Sequence, residues 1–171
     1  MSSSTFIHPS AHVSKEASIG EGTKVWINAQ IRERAVIGAD CIISKDTYID
    51  ADVTIGRACK IQNGVSLYHG VSIEDEVFVG PNATFTNDKV PRAFDPNWKI
   101  TPTHIAKGAS IGANATIVCG ITIGQYAMVA AGSVVTKDVA PHSLVMGNPA
   151  RFVSWIDRMG NKITEVPYVD E

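Results

Sequence analysis

An imidazole, a carboxamide and a thiol recur at one phase along this chain. Asn87 follows His69 after three steps of six, and Cys119 continues the series once a fourteen-residue interruption is taken out. An imidazole relays protons near neutral pH, and a carboxamide orients a partner without changing charge. A thiol attacks only as thiolate and is inert by default. Beside the interruption stand Glu74, Asn82, Asp88 and Arg92, a polar set around the root of an inserted loop. Residues so far apart meet only if the backbone returns to the same place at that interval.

The aliphatic pattern says that it does. Every sixth residue from Ile7 to Phe85 is large and apolar, through Val13, Ile19, Val25 and onward. The series resumes from Ile105 to Val135. Four residues after each from Ile7 to Val79 lies a small companion, such as Ala29, Ala35, Cys41, Thr47 and Cys59. Six matches neither the period of a helix nor that of a simple strand, but suits a short strand followed by a corner. Gly20, Gly38 and Gly56 recur at three times that spacing, so three hexapeptides close one coil; these glycines are expected to supply positive φ at corners. The fold expected is an all-β solenoid, a triangular parallel β-helix of six to seven coils over residues 1–140. Its coils would stack about 4.8 Å apart. Cys41 and Cys59 then lie one above the other facing inward, as buried thiols.

The rhythm breaks at PRAFDPNWKITPTH, residues 91–104, where three prolines exclude a regular strand. A loop of this length in a compact repeat is usually functional, here an arm covering a site. Residues 141–171 are expected to cap the coil. A short helix through about Met159 would place Phe152, Trp155, Ile156 and Met159 on one face, with Gly160 as its stop.

Composition excludes several classes. The chain has 171 residues, 44% hydrophobic and 19% charged, enough for one core. Fifteen basic against seventeen acidic residues leave no positive excess for nucleic acid. No apolar run approaches the ~18 residues of a membrane span, the first residues lack a signal-peptide layout, and three cysteines make no disulfide framework. A cytoplasmic protein that binds neither nucleic acid nor membrane is expected.

The hexapeptides resemble the bacterial hexapeptide-repeat acyltransferases. That resemblance, and not the periodicity, implies a left-handed coil and a homotrimer with active sites between subunits; general crossover rules favour the opposite hand. Val135-Thr-Lys-Asp-Val139 and Gly147-Asn-Pro-Ala-Arg151 resemble the end of the coenzyme-A-dependent members, where this region lies near the cofactor. Lys137 and Arg151 would then meet its phosphates as a point charge and a planar fork. Gly112, Ala113, Ala130 and Ala131 offer a small surface to the pantetheine arm, with Cys119 placed alongside. The stretch from Ile61 to Asn87, Pro91-Arg92, and Gly112-Ala-Asn-Ala-Thr-Ile-Val-Cys-Gly120 resemble the nucleotide-sugar N-acetyltransferases. These acetylate the 3-amino group of UDP- or dTDP-linked amino sugars for lipopolysaccharide and surface glycans.

The resemblance implies acetyl-CoA as co-substrate, no metal, and direct attack of a neutral amine on the thioester. Asn87 would orient the amine and His69 relay its proton. Glu74, Asn82, Asp88 and Arg92 would supply contacts to sugar hydroxyls or diphosphate, and a backbone N–H near Gly112–Ala113 would serve the oxyanion. Other readings stay open: a 4-amino-sugar, serine or simple-sugar acetyltransferase, a metalloenzyme like the γ-carbonic anhydrases, and a non-catalytic scaffold. The metalloenzyme needs three converging histidines, and of His8, His12, His69, His104 and His142 only His69 and His104 are central.

Overall fold

A computed structural model describes residues 4–165. Twenty short strands from Phe6–Ile7 to Val134–Val135 form three parallel sheets, each supplied by every third strand. The first sheet runs from Phe6–Ile7 through Phe78–Val79 to Met128–Val129, and the second from His12–Val13 through Thr84–Phe85 to Val134–Val135. The third runs from Ser18–Ile19 through Val71–Ile73 to Thr122–Ile123. Partners such as Lys24 and Ile42, or Gln30 and Tyr48, stand one coil of three hexapeptides apart. The result is the expected three-sided β-solenoid. The sheet-one ladder adds Ser143–Gly147 as an eighth rung.

The six-residue rhythm is the core. Ile31, Ile43, Ile49, Ile61, Leu67, Ile105, Ile111, Ile117 and Ile123 are wholly buried, with Ala29, Ala35, Val53 and Ala109 between them. Cys41 and Cys59 are free and buried there. Their thiols donate to the Gly56 and Glu74 carbonyls (3.1 and 3.0 Å). At the N-terminal end the stack is less covered, and Ile7 is 43% exposed.

The glycines act differently from expectation. Where a corner has a left-handed residue, it is three positions after the aliphatic: Asn28 (φ 57°), Asp40 (φ 59°), Asp52 (φ 60°) and Asn82 (φ 57°) take it, as do Gly22 and Gly64. Asn and Asp tolerate this region best among residues with a side chain. Gly20, Gly38 and Gly56 have no positive φ. They are glycine because coils touch: a β-carbon on Gly38 would lie 2.7 Å from the Gly56 carbonyl carbon.

The inserted segment also differs in its limits. Below it partners differ by 18, as in Ser66–Thr84; across it they differ by 32, as in Phe78–Ser110 and Thr84–Thr116. Fourteen residues are therefore extra, but Thr103 and His104 belong to strand Thr103–Ile105 and pair with Val71 and Ser72. The excursion spans 88–100, closed where the Thr101 N–H donates to the Asn87 carbonyl (2.8 Å).

The expected C-terminal helix is absent; the described residues contain no helix. Ser143–Gly147 and Ala150–Ile156 form an antiparallel hairpin, and Lys162–Ile163 adds a third strand. Phe152, Val153, Trp155 and Ile156 are aromatic or β-branched, suited to a strand. The last parallel rung also offers a ladder to extend: Met128 pairs with Leu144. The apparent helical face is divided, since Ile156 is 1% exposed while Met159 is 84% exposed. Past the hairpin, Lys162–Ile163 form a strand, and residues 166–171 lie outside the described part.

Candidate active site

Three corners run along the prism, and the sequence-selected residues divide among them. The edge between the second and third sheets carries Asp50 and Asp52, then Tyr68 and His69, then Thr86 and Asn87, then Cys119, then Lys137 and Asp138 on successive coils. The expected column of His69, Asn87 and Cys119 lies along this edge, and Lys137 follows it on the next coil.

His69 is half-exposed. Its backbone N–H donates to Asp50 Oδ2 (3.2 Å), and its Nδ1 is 3.8 Å from Asp52 Oδ2. Arg34 grips Asp52 with Nε and Nη2, both at 2.8 Å, and this pairing holds the Asp52 carboxyl below its usual range. Beside it Tyr48 donates to Asp50 (2.9 Å) and accepts from Arg32 (3.3 Å). The imidazole thus lies beside a carboxylate that Arg34 holds in place.

Asn87 lies at the loop root with its side chain free of protein partners among the described residues. With Asp88, Pro91, Arg92, Ala93, Asp95 and Trp98 it lines an open cleft of about 460 Å³. The loop is folded locally: Asp88 Oδ1 accepts from Val90 N–H (2.9 Å), and Arg92 Nη1 donates to the Pro91 carbonyl (2.8 Å). Phe94 is 84% and Trp98 49% exposed. Apolar side chains held outward on a loop beside a polar cleft make an arm rather than a plug.

Cys119 does not face this cleft. It is wholly buried beneath the loop root, its N–H bonded to Thr86 Oγ1 (2.9 Å), so its place among surface residues for a cofactor is corrected. Two polar residues are likewise displaced from the loop root. Glu74 is at the edge between the third and first sheets, and Asn82 at the edge between the first and second. Only Asp88 and Arg92 of that set belong to the loop.

The small-residue surface is at the first–second edge as well. Gly112 and Ala113 stack under Ala130 and Ala131; a β-carbon on Gly112 would lie 2.7 Å from Ala131 Cα. Gly132 has open space around it. The second sheet separates this ledge from Asn87. Lys137 and Arg151 do converge: with Thr136, Asp138, Ala150 and Phe152 they line a cleft of about 370 Å³ between the last coil and the hairpin. Two exposed cations beside small and apolar walls fit a phosphate-bearing ligand with a slender apolar arm.

One constellation escaped the sequence. His104, on the outer face of the third sheet, is 3.0 Å from Ser72 Oγ through Nδ1 and 3.0 Å from Glu74 Oε1 through Nε2. The loop conceals it, because Ser72 and His104 flank the insertion in sequence and become cross-strand neighbours only after it is removed. Among the described residues no three His, Cys, Asp or Glu side chains are grouped to hold a metal ion. No helix there is long and apolar enough to cross a membrane.

A three-sided hexapeptide coil with a cationic cleft at one end defines a class, and comparison with known proteins agrees. Residues 16–51, 52–87 and 102–137 match the family described as bacterial transferase hexapeptide (six repeats), and the chain belongs to it. This six-residue repeat fits a left-handed β-helix. Over 166 residues the chain is 46% identical to the dTDP-3-amino-3,6-dideoxy-alpha-D-galactopyranose 3-N-acetyltransferase of Aneurinibacillus thermoaerophilus, covering 95% of this chain and 86% of that protein. PerB from Caulobacter crescentus, solved with CoA and GDP-perosamine, is similar with a TM-score of 0.58 and 27% identity. The match covers 90% of this chain and 59% of that one. The hexapeptide acetyltransferase VCA0836 of Vibrio cholerae, complexed with acetyl coenzyme A, matches with a TM-score of 0.57 and 28% identity, over 67% of this chain and 70% of that one.

Proposed function

We propose that the protein transfers the acetyl group of acetyl-CoA to the 3-amino group of a dTDP- or UDP-linked 3-amino-deoxyhexose, in the cytoplasm, for surface-glycan assembly. The 46% identity to a 3-N-acetyltransferase across 95% of the chain carries this reading, and the edge bearing Asn87 and His69 gives it chemistry.

Lys137 and Arg151 hold the coenzyme phosphates at the hairpin cleft. Asn87 orients the amine through its carboxamide, and Asp88 and Arg92 meet the sugar or diphosphate from the loop. The neutral amine attacks the thioester carbonyl, forming the C–N bond as the C–S bond breaks. His69 accepts the amine proton, which ends on the coenzyme thiolate. An amine of pKa ~8 needs only about 1.4 kcal/mol to be neutral at pH 7, so positioning outweighs basicity.

The small-residue ledge and the Asn87 edge lie at opposite sides of the second sheet, and the loop points its aromatic residues outward. Both facts support a homotrimer in which the ledge of one subunit faces the Asn87 edge of the next. Thiol release over a panel of dTDP- and UDP-amino sugars tests the reaction. Turnover of a 3-amino substrate is expected; a complete lack of it, with folded trimer present, refutes the assignment.

A further inference from the structure

The Ser72–His104–Glu74 constellation has no task in that reaction, yet its connectivity is specific. A carboxylate only accepts hydrogen bonds, so in the neutral imidazole Nε2 carries the hydrogen and donates to Glu74 Oε1. Nδ1 then holds the lone pair, and the Ser72 hydroxyl donates to it across 3.0 Å. Glu74 is itself fixed, because its Oε2 accepts the Lys107 backbone N–H at 2.7 Å. Parallel ladders hold all three: Ser72 pairs directly with His104, and Glu74 follows two residues later. A hydroxyl bonded to a base, itself oriented by a carboxylate, is the arrangement that activates a serine.

Space for a substrate adjoins it. Glu74 and His104 line a cleft of about 670 Å³ with Ala106, Thr122, Gly124 and Ala140. Small walls admit a short acyl group on a slender carrier. Asp138, Val139 and Ala140 border both this cleft and the cationic cleft of Lys137 and Arg151. An acyl thioester held by its phosphates at the hairpin therefore has two faces of the prism within reach.

We infer that Ser72, His104 and Glu74 form a second acyl-accepting centre, at which activated acetyl esters and thioesters acetylate Ser72. Ser72 Oγ attacks the acetyl carbon and forms the ester bond while its proton passes to His104 Nδ1. The bond to the leaving thiolate or phenolate breaks, the leaving group takes its electron pair, and the imidazolium returns the proton to it. Water then hydrolyses the acetyl-serine to acetate, restoring the hydroxyl. Without an amine acceptor, the protein is a slow esterase and thioesterase at this face.

The test is to incubate the full chain with p-nitrophenyl acetate and, separately, with acetyl-CoA lacking any amino sugar, and to map acetylation by peptide mass spectrometry. One acetyl group on the peptide containing Ser72 is expected, lost in Ser72→Ala and formed at least about a hundredfold more slowly in His104→Gln. Circular dichroism and melting establish that each variant is folded, and Glu74→Gln, with a smaller slowing, replaces His104→Gln if the latter does not fold. Acetylation confined to lysines, or a Ser72 rate unchanged in the folded His104→Gln or Glu74→Gln protein, overturns the inference. The amino-sugar assay is separate, so either reading can fail alone.

Discussion

The backbone N–H of Thr101 donates to the backbone carbonyl of Asn87 at 2.8 Å, so a thirteen-residue excursion leaves and rejoins the prism at one point. This clamp uses only the main chain of Asn87, whose carboxamide has no protein partner among the described residues. Asn87→Ala is expected to lower kcat/KM at least about a hundredfold, since lost orientation alone costs that much. The melting temperature should stay near that of the unmodified protein. Equal activity in the variant would place the amine elsewhere.

Gly38 and Asp40 make opposite demands two residues apart. Gly38→Ala drives a methyl group into the next coil and should destabilise by roughly 1–3 kcal/mol. Asp40→Gly, at φ 59°, removes left-handed strain and should change stability by less than about 1 kcal/mol. Urea titration of both variants decides whether the glycines serve coil contact or corner conformation.

Lys137 and Arg151 are exposed and share one cleft. Replacing either by Ala should raise KM for acetyl-CoA about tenfold, or ~1.4 kcal/mol, with kcat nearly preserved. Added salt should raise KM for the unmodified enzyme more than for either variant. Steady-state kinetics at two ionic strengths measures both effects.

Arg34 holds the Asp52 carboxyl below its unfolded value. A depressed folded pKa contributes stability above the unfolded pKa, near ~3.9, and that contribution disappears as pH falls through the folded value. Arg34→Met should therefore melt slightly below the unmodified protein at neutral pH, and the gap should close in strong acid. Both side chains are solvated, so the difference is small and shrinks with salt.

Much of this architecture was written in the residues. Ile31, Ile49, Leu67 and Ile117 revealed the coil because each must point inward at a fixed interval. The shared phase of His69, Asn87 and Cys119 followed from that interval alone. Burial of Cys119 did not, since it depends on how the loop root covers it. Glu74 and Asn82 were misplaced because proximity in sequence to a loop says nothing about which corner a residue turns. The hairpin was misread as a helix because Phe152, Trp155, Ile156 and Met159 fit a helical spacing, whereas the ladder waiting at Met128–Val129 is a tertiary feature. Ser72 and His104 came together only when the exact ends of the excursion were known.

Paired strands below the excursion advance by the same three hexapeptides each time, from Lys24–Ile42 to Ser66–Thr84. That constancy makes the lower part of the protein a ruler whose divisions are interchangeable. A whole division of three hexapeptides spliced in near Ile37 would raise everything above it by about 4.8 Å, rotating no side chain out of phase and leaving the upper clefts as they are. A splice one residue shorter or longer must be absorbed as a bulge at a corner, as the fourteen extra residues of the excursion are looped out while Ile105, Ile111 and Ile117 above it stay buried. The stack itself grows only in whole turns; any other length has to leave the prism as a loop.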